Sequence, residues 1–118
     1  MGAILENDNG KITFTDEYIS NIAGLSAMEC YGVVGMTAIT AREGINEILK
    51  REDYRKGVRI TTDETHQLAI QLNIVVEYGT SLAVIGKSII ETVRYNVENA
   101  TGLVVRDIEV VISGIRVH

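Results

Sequence analysis

The sequence predicts an α+β domain, a two-layer sandwich in which two main helices pack on one face of a small mixed sheet of three or four strands. Residues 67–77 alternate between apolar and polar side chains, which is the period of a strand with one buried face. Residues 82–97 place apolar side chains at the three- and four-residue spacing of a helix. Residues 103–114 return to the two-residue period, so this block forms the centre of the predicted domain.

The residues before this block predict the remaining elements. Residues 1–10 are polar and rich in turn formers, which predicts a flexible N-terminal tail before a single domain over residues 11–118. A short strand at residues 11–14 precedes Thr15, whose hydroxyl is suited to cap a helix. The glycine-flanked apolar run of residues 31–36 predicts a buried strand or a close backbone approach, and the alternation in residues 58–61 predicts a strand.

The helix of the central block is predicted from its ends and its stripe. It begins at Thr80 or Ser81, and Gly102 is well placed as the left-handed residue that ends it. Arg94 and Glu98 are four residues apart and are expected to form a surface ion pair. The apolar stripe predicted to face the core consists of Leu82, Ile85, Ile89, Val93 and Val97.

Composition excludes several classes of function. The chain has 118 residues and a net charge of -5, which disfavours binding to nucleic acid or to an anionic lipid surface. Its apolar runs fall far short of the about 20 residues that a membrane span requires, so no direct membrane insertion is expected. The start lacks the pattern of a secretory signal, and Cys30 is the single cysteine. A cytoplasmic location is therefore expected.

Two glycine motifs resemble nucleotide- or RNA-binding loops. Residues 86–88 read Gly-Lys-Ser, but position 81 is serine where a phosphate loop needs glycine, and the motif lies inside a predicted helix. Gly86 is therefore expected to be a close-packing position. Residues 32–35 read Gly-Val-Val-Gly, like a loop that clamps RNA, but two valines in its centre favour burial. Nucleic-acid binding stays an alternative.

Three further groups of residues suit a chemical site, and each has a simpler explanation. Asp63, Glu64 and His66 are able to bind a metal, but they are also typical turn residues. Cys30 and His66 would suit a nucleophile pair, although Cys30 is expected to be a buried thiol. Residues 79–81 would suit an anion, although capping explains them equally well. No catalytic, metal or cofactor site is predicted.

Four segments carry a resemblance to a known family. They are Gly-Lys-Ile at residues 10–12, Cys-Tyr-Gly-Val-Val-Gly-Met at 30–36, Val-Val-Glu-Tyr-Gly at 75–79, and the closing residues 101–117. With them, the chain after residue 10 resembles the alkaline shock protein family of general and envelope stress proteins of Gram-positive bacteria. Within that family it is similar to the short, single-domain subgroup. None of the four segments is a catalytic signature.

The resemblance implies a non-enzymatic role in cell-envelope homeostasis, exerted through self-association or as an adaptor. It implies as partner a membrane-anchored family member or a fatty-acid-kinase-like protein, which would bring a cytoplasmic chain to the inner face of the membrane. A small-ligand-binding protein linked to fatty-acid metabolism is a further alternative. The exposed side of the central block is the predicted partner surface, which consists of Glu77, Tyr78, Gly79, Asp107 and Glu109.

Overall fold

The computed structural model describes residues 2–39 and 48–117 and confirms the predicted α+β class. Its elements in chain order are β1 (Ala3–Asn7), β2 (Gly10–Phe14), α1 (Asp16–Met28), β3 (Val33–Met36), a 3-10 helix (Arg51–Gly57), β4 (Val58–Thr62), β5 (Leu68–Glu77), α2 (Leu82–Thr101) and β6 (Val105–Arg116).

β5 is the central strand of a four-stranded mixed sheet. β4 pairs antiparallel with its first half, and β3 pairs antiparallel with its second half, so these two short strands share one edge of β5. β6 runs parallel to β5 along the whole of the other edge. A parallel pair needs a long connection, which α2 provides. Among the described residues, no strand pairs with the outer side of β6.

The core lies between the sheet and both helices. The residues of β5 on one face are at most 2% exposed, and they are Leu68, Ile70, Leu72, Ile74 and Val76. Helix α1 contributes Ile19, Ala23 and Ala27 to the same apolar cluster. Helix α2 contributes Ile85, Ile89, Val93 and Val97. The predicted two-layer arrangement is therefore confirmed, with β5 as its centre.

The N-terminal residues form a hairpin where the sequence predicts a flexible tail. β1 pairs antiparallel with β2, from Ala3 opposite Phe14 to Asn7 opposite Gly10. The Asn7 side chain accepts a hydrogen bond from the Asn9 amide at 2.8 Å, which closes the turn. Ala3 is fully buried and joins the core cluster. Asp8 and Asn9 are thus the turn of a hairpin and not the end of a tail.

The helix ends largely follow the prediction. Thr15 caps α1, since its hydroxyl oxygen accepts a hydrogen bond from the Tyr18 amide at 3.2 Å. Gly102 ends α2 in the left-handed region, with φ of 76°. Ser81 is the N-cap residue of α2 but makes no side-chain capping bond. Leu82 departs from the predicted stripe, because it is 43% exposed and not part of the core.

Arg94 and Glu98 hold the start of β6 and do not act as a simple surface pair. The Arg94 guanidinium donates to the Val105 carbonyl at 2.8 Å, and the Val105 amide donates to the Glu98 carboxylate at 2.8 Å. Val105 is only 1% exposed, so both of its backbone groups would otherwise be buried without a partner. The two side chains therefore fix the first residue of β6 to α2.

Candidate functional site

The structure separates the predicted partner surface into two groups. That surface consists of Glu77, Tyr78, Gly79, Asp107 and Glu109. Asp107 and Glu109 lie beside Ala69 and Gln71, in the first half of β5, whereas residues 77–79 follow its second half. At about 3.3 Å per residue, the six steps from residue 71 to residue 77 separate the groups by about 20 Å. Tyr78 is 70% exposed, but these side chains do not form one patch.

Asp107 and Glu109 border a shallow polar depression on the open face of the sheet. Its volume is about 220 Å³, and Arg59 and Gln71 also line it. The strand registers place Arg59, Gln71 and Glu109 in one row across the face. Small-molecule sites usually begin at about 300 Å³. The depression therefore offers charged contacts but little enclosed space.

A larger groove lies between α2 and the edge strand β6. Its volume is about 480 Å³. The groove is lined by Leu82, Ala83, Gly86, Lys87, Ile90, Glu91, Val110 and Ile112. Apart from Lys87 and Glu91, these residues are apolar or lack a side chain. The groove is thus an apolar surface that runs along the side of the sheet where β6 has no described neighbour.

Gly86 keeps this groove open, which corrects the prediction that it is a close-packing position. Among the residues that the structure describes, no atom outside the backbone of its own helix would lie within 4 Å of a Cβ atom added to Gly86. Glycine inside a helix costs about 1 kcal/mol relative to alanine, and no packing contact from the described residues offsets that cost. The location inside α2 confirms that residues 86–88 are helix interior, where backbone amides are not available to bind phosphate.

The sheet decides two further sequence candidates, the Gly-Val-Val-Gly motif of residues 32–35 and the Cys30–His66 pair. Residues 33–36 form β3, which confirms the predicted buried strand. Cys30 precedes β3, whose Val33 pairs with Val76 near the end of β5. His66 precedes the start of β5 at Leu68. These positions lie roughly 30 Å apart along β5, so Cys30 and His66 are not placed as a nucleophile pair.

Asp63 organises the turn that was a metal candidate. One of its carboxylate oxygens accepts from the Thr65 amide at 2.8 Å, the Thr65 hydroxyl at 2.7 Å and the Gln67 amide at 3.0 Å. The other accepts from the Arg106 guanidinium at 2.6 Å. Both oxygens therefore serve the fold. No group of three His, Cys, Asp or Glu side chains suited to a metal occurs in the described part of the chain.

The Asp63 turn is expected to make stability depend on pH. Hydrogen bonds, first that of the Thr65 hydroxyl, hold the pKa of Asp63 below its ordinary value of 3.8. Because the pKa is lower in the folded state, this contribution is complete above the unfolded-state pKa and is lost as the pH falls through the folded-state value. Asp63→Asn should therefore lower the urea midpoint at about pH 6 but have little effect at about pH 2.

Asp107→Asn serves as the control for Asp63→Asn, since the Asp107 carboxylate accepts from Arg106 at 3.0 Å on an exposed strand. An equal loss of stability for Asp63→Asn at both pH values would show that the charge of Asp63 is not what the turn requires.

No helix within the described ranges is both long and apolar enough to span a membrane.

Comparison with known proteins places this fold in a family. The model of the alkaline shock protein 23 family, described as having a cell envelope-related function, matches residues 4–117. The protein YloU of Bacillus subtilis (strain 168) is 33% identical over 118 residues, which cover 99% of this chain and 98% of YloU. The protein Spy1614 of Streptococcus pyogenes serotype M6 is 30% identical over 118 residues, covering 99% of this chain and 97% of Spy1614.

A more distant similarity links the chain to a named stress protein. A stress response regulator gls24 homolog of Streptococcus pyogenes serotype M3 is 28% identical over 107 residues, covering 91% of this chain and 59% of that protein. No solved structure matches the chain significantly. The family match runs from within β1 to the residue after β6, so it includes most of β1 and all of the later described elements. The chain therefore belongs to the alkaline shock protein family, whose function is related to the cell envelope.

Proposed function

We propose that this chain is a non-enzymatic module of cell-envelope homeostasis that acts through protein–protein contacts, as a self-associating or adaptor protein. The cell envelope-related function of the family supports the setting, and the name of the gls24 homolog supports a link to stress. The observation that supports protein–protein contacts is β6, a strand of 12 residues at the edge of the described sheet. Such an edge is a ready template for pairing with another chain.

The apolar residues around this edge support the same proposal. Ile115 is 51% exposed and Leu82 is 43% exposed. The run Val110 to Ile112 in the middle of β6 carries no charge. Proteins usually protect a long edge strand with lysine, proline or a covering element. A partner that covers β6 would bury these side chains together with the groove beside α2.

The proposed partner is either a second copy or another protein of the envelope-stress system. A membrane-anchored family member or a fatty-acid-kinase-like protein is the proposed adaptor partner, and the former would hold the chain at the inner face of the membrane. The charge of -5 favours a protein partner over nucleic acid. A small apolar ligand is the second candidate, because the groove of about 480 Å³ lies within the usual range for such sites.

Complementation in a strain that lacks the gene tests the proposal. We expect the deletion to reduce survival under envelope stress and the wild-type chain to restore it. Ile90→Lys, which places a charge in the groove, should fail to restore survival. Val84→Lys is the matched control, because Val84 lies on the same helix, is 66% exposed and does not line the groove.

Two results would overturn the proposal. One is a deletion strain with normal envelope-stress survival, and the other is full complementation by Ile90→Lys when thermal melting shows both variants folded. Tight binding of a fatty acid by the purified wild-type chain, lost in Ile90→Lys, would favour the small-ligand alternative instead.

A further inference from the structure

We propose that β6 pairs antiparallel with β6 of a second copy, so that two sheets join into one continuous sheet across a two-fold axis. This inference rests on the proposed function, because it specifies the interface and the register of self-association. Three observations carry it: the outer edge of β6, which no described strand covers, the bulge at Ser113, and the groove at Gly86, which no described side chain fills.

The bulge decides which side chains of β6 share a face. It lies at Ser113, which the register with β5 skips; the register also skips Arg106, near the start of β6. Before the bulge, Val110 is paired with a buried residue of β5 and Glu109 points to the open face. After it, Ile115 is paired with a buried residue of β5 and Arg116 points to the open face. The bulge therefore puts Glu109 and Arg116 on the open face of the sheet, and Val110 and Ile115 on the face that the helices cover.

The bulge is a fixed part of the fold. The hydroxyl groups of Ser113 and Thr37 are 2.7 Å apart. The Ser113 hydroxyl also lies 3.3 Å from the Ile74 carbonyl, to which it donates. These contacts tie the bulged residue to β5 and to the segment after β3. The face assignment on the two sides of Ser113 is therefore set within one copy, before any partner binds.

This arrangement makes β6 complementary to itself in one register. Antiparallel pairing that sets Glu109 opposite Arg116 also sets Val110 opposite Ile115 and Val111 opposite Gly114. Every one of these pairs joins residues of the same face, and the two-fold symmetry produces each pair twice. Opposite charges directly across two strands are stabilising, as are matched apolar residues. Charge and face therefore agree in this register.

A neighbouring register is less favourable because of a contact within one copy. Slipping the strands by two residues would set Asp107 opposite Arg116, which also matches in charge. Asp107, however, already accepts a hydrogen bond from Arg106 of its own strand at 3.0 Å. Since this bond engages the Asp107 carboxylate, the register with Glu109 opposite Arg116 is preferred.

The groove supplies the place for the partner's exposed side chain. Val110 lines the groove, and this register places Ile115 of the second copy beside Val110 on the face covered by the helices. Ile115 is 51% exposed in one copy, and no atom of the described residues lies within 4 Å of a Cβ position at Gly86, outside its own helix backbone. Pairing would cover Ile115 and fill this space. The need for this space would explain why α2 has a glycine at position 86.

Disulfide trapping of the full chain tests the register. In a Cys30→Ala background, Val111→Cys and Gly114→Cys are prepared as separate proteins and mixed under oxidising conditions. Directly opposed Cβ atoms lie close enough for a disulfide, so the mixture should form a linked heterodimer while neither protein alone links efficiently. Gly114 tolerates the change, because an added Cβ would lie 3.5 Å from the nearest Val75 carbon. Asp107→Cys mixed with Gly114→Cys is the control and should not link.

A space-filling variant tests the groove independently. Gly86→Leu should raise the dissociation constant of the dimer by about tenfold or more, as expected for an overpacked interface, while the monomer stays folded by circular dichroism. Val84→Leu, at an exposed position of α2 that does not line the groove, should leave the dissociation constant unchanged. Sedimentation equilibrium of wild type and both variants supplies these values.

The outcomes separate this inference from the proposed function. A dimer that traps the mixed pair and is weakened by Gly86→Leu supports the inference. A dimer that traps the control pair, or neither pair, overturns the β6 register while self-association stands. A wild-type chain that is monomeric at every concentration overturns the inference, and the complementation result then decides whether the adaptor role survives.

Discussion

Leu72→Ala is expected to lower the free energy of unfolding by about 2–5 kcal/mol, as large-to-small substitutions in a packed core do. Leu72 is fully buried at the middle of β5, opposite Val58 of β4 and Val110 of β6. Three strands meet at this position, and Leu72 belongs to the same apolar cluster as residues of both helices. The backbone is held on both sides and cannot collapse into the cavity that alanine would leave. Urea unfolding at a fixed protein concentration measures the loss, because association also contributes to stability.

Val84→Ala is the control for this effect. Val84 is 66% exposed on α2, so its truncation leaves no cavity, and the free energy of unfolding should change by no more than about 0.5 kcal/mol. A loss below about 1 kcal/mol for Leu72→Ala would contradict the position of β5 at the centre of the core.

The buried face of β5 could be predicted because its physical cause is local. Successive side chains of a strand point to opposite faces, so the alternation around Leu72 identifies the buried residues without knowledge of the neighbouring strands. The ends of the helices were also predictable. Thr15 and Gly102 act on backbone groups within a few residues of themselves.

The groove could not be predicted, because burial on a helix depends on what lies opposite. The helical period places Leu82 in the same stripe as Ile85, yet Leu82 is 43% exposed and Ile85 is 3% exposed. The period identifies a face of α2 but not how far the core extends along it. Gly86 was misassigned for the same reason, since the sequence does not show whether anything packs against it.

The role of Arg94 and Glu98 was missed for a related reason. Their spacing fits an ion pair on a helix surface, which would contribute only a few tenths of a kcal/mol. The backbone groups of Val105 are better partners, because leaving a buried amide or carbonyl unpaired costs about 1–3 kcal/mol. The signal for this role is the start of a buried strand soon after Gly102, because its first backbone groups need partners and these two side chains lie on the preceding helix.

The edge position of β6 is also a property of the whole sheet. The two-residue period of residues 105–112 fits a central strand as well as an edge strand. Only the pairing of β3 and β4 on the far side of β5 leaves β6 at the edge. The predicted surface therefore contained Glu109, which lies on β6, but it did not include the groove or Arg116.

Gly32→Ala is expected to destabilise the fold by about 2–4 kcal/mol, the sum of a backbone cost and a packing cost. Gly32 has φ of 88°, a left-handed conformation that costs a residue with a Cβ about 1–2 kcal/mol. The added Cβ would lie 2.6 Å from the terminal carbon of Ile85, which is buried in α2. Moving Ile85 would disturb a packed core. The Gly32 carbonyl also accepts from the Glu77 amide at 2.9 Å, so strain here would reach β5.

Alanine variants at two other glycines separate the backbone cost from the packing cost. The urea midpoints of all three variants are measured at one protein concentration. Gly79 has φ of 91° and nothing within 4 Å of an added Cβ, so Gly79→Ala should carry the backbone cost alone, about 1–2 kcal/mol. Gly86 has neither a positive φ nor a described atom within 4 Å of an added Cβ. Gly86→Ala should therefore stabilise the monomer by about 0.5–1 kcal/mol through helix propensity. If Gly32→Ala lowers the free energy of unfolding no more than Gly79→Ala does, then the Ile85 side chain moves aside at no cost in stability. In that case the close approach of the loop before β3 to α2 does not contribute to holding the sheet and helix layers together.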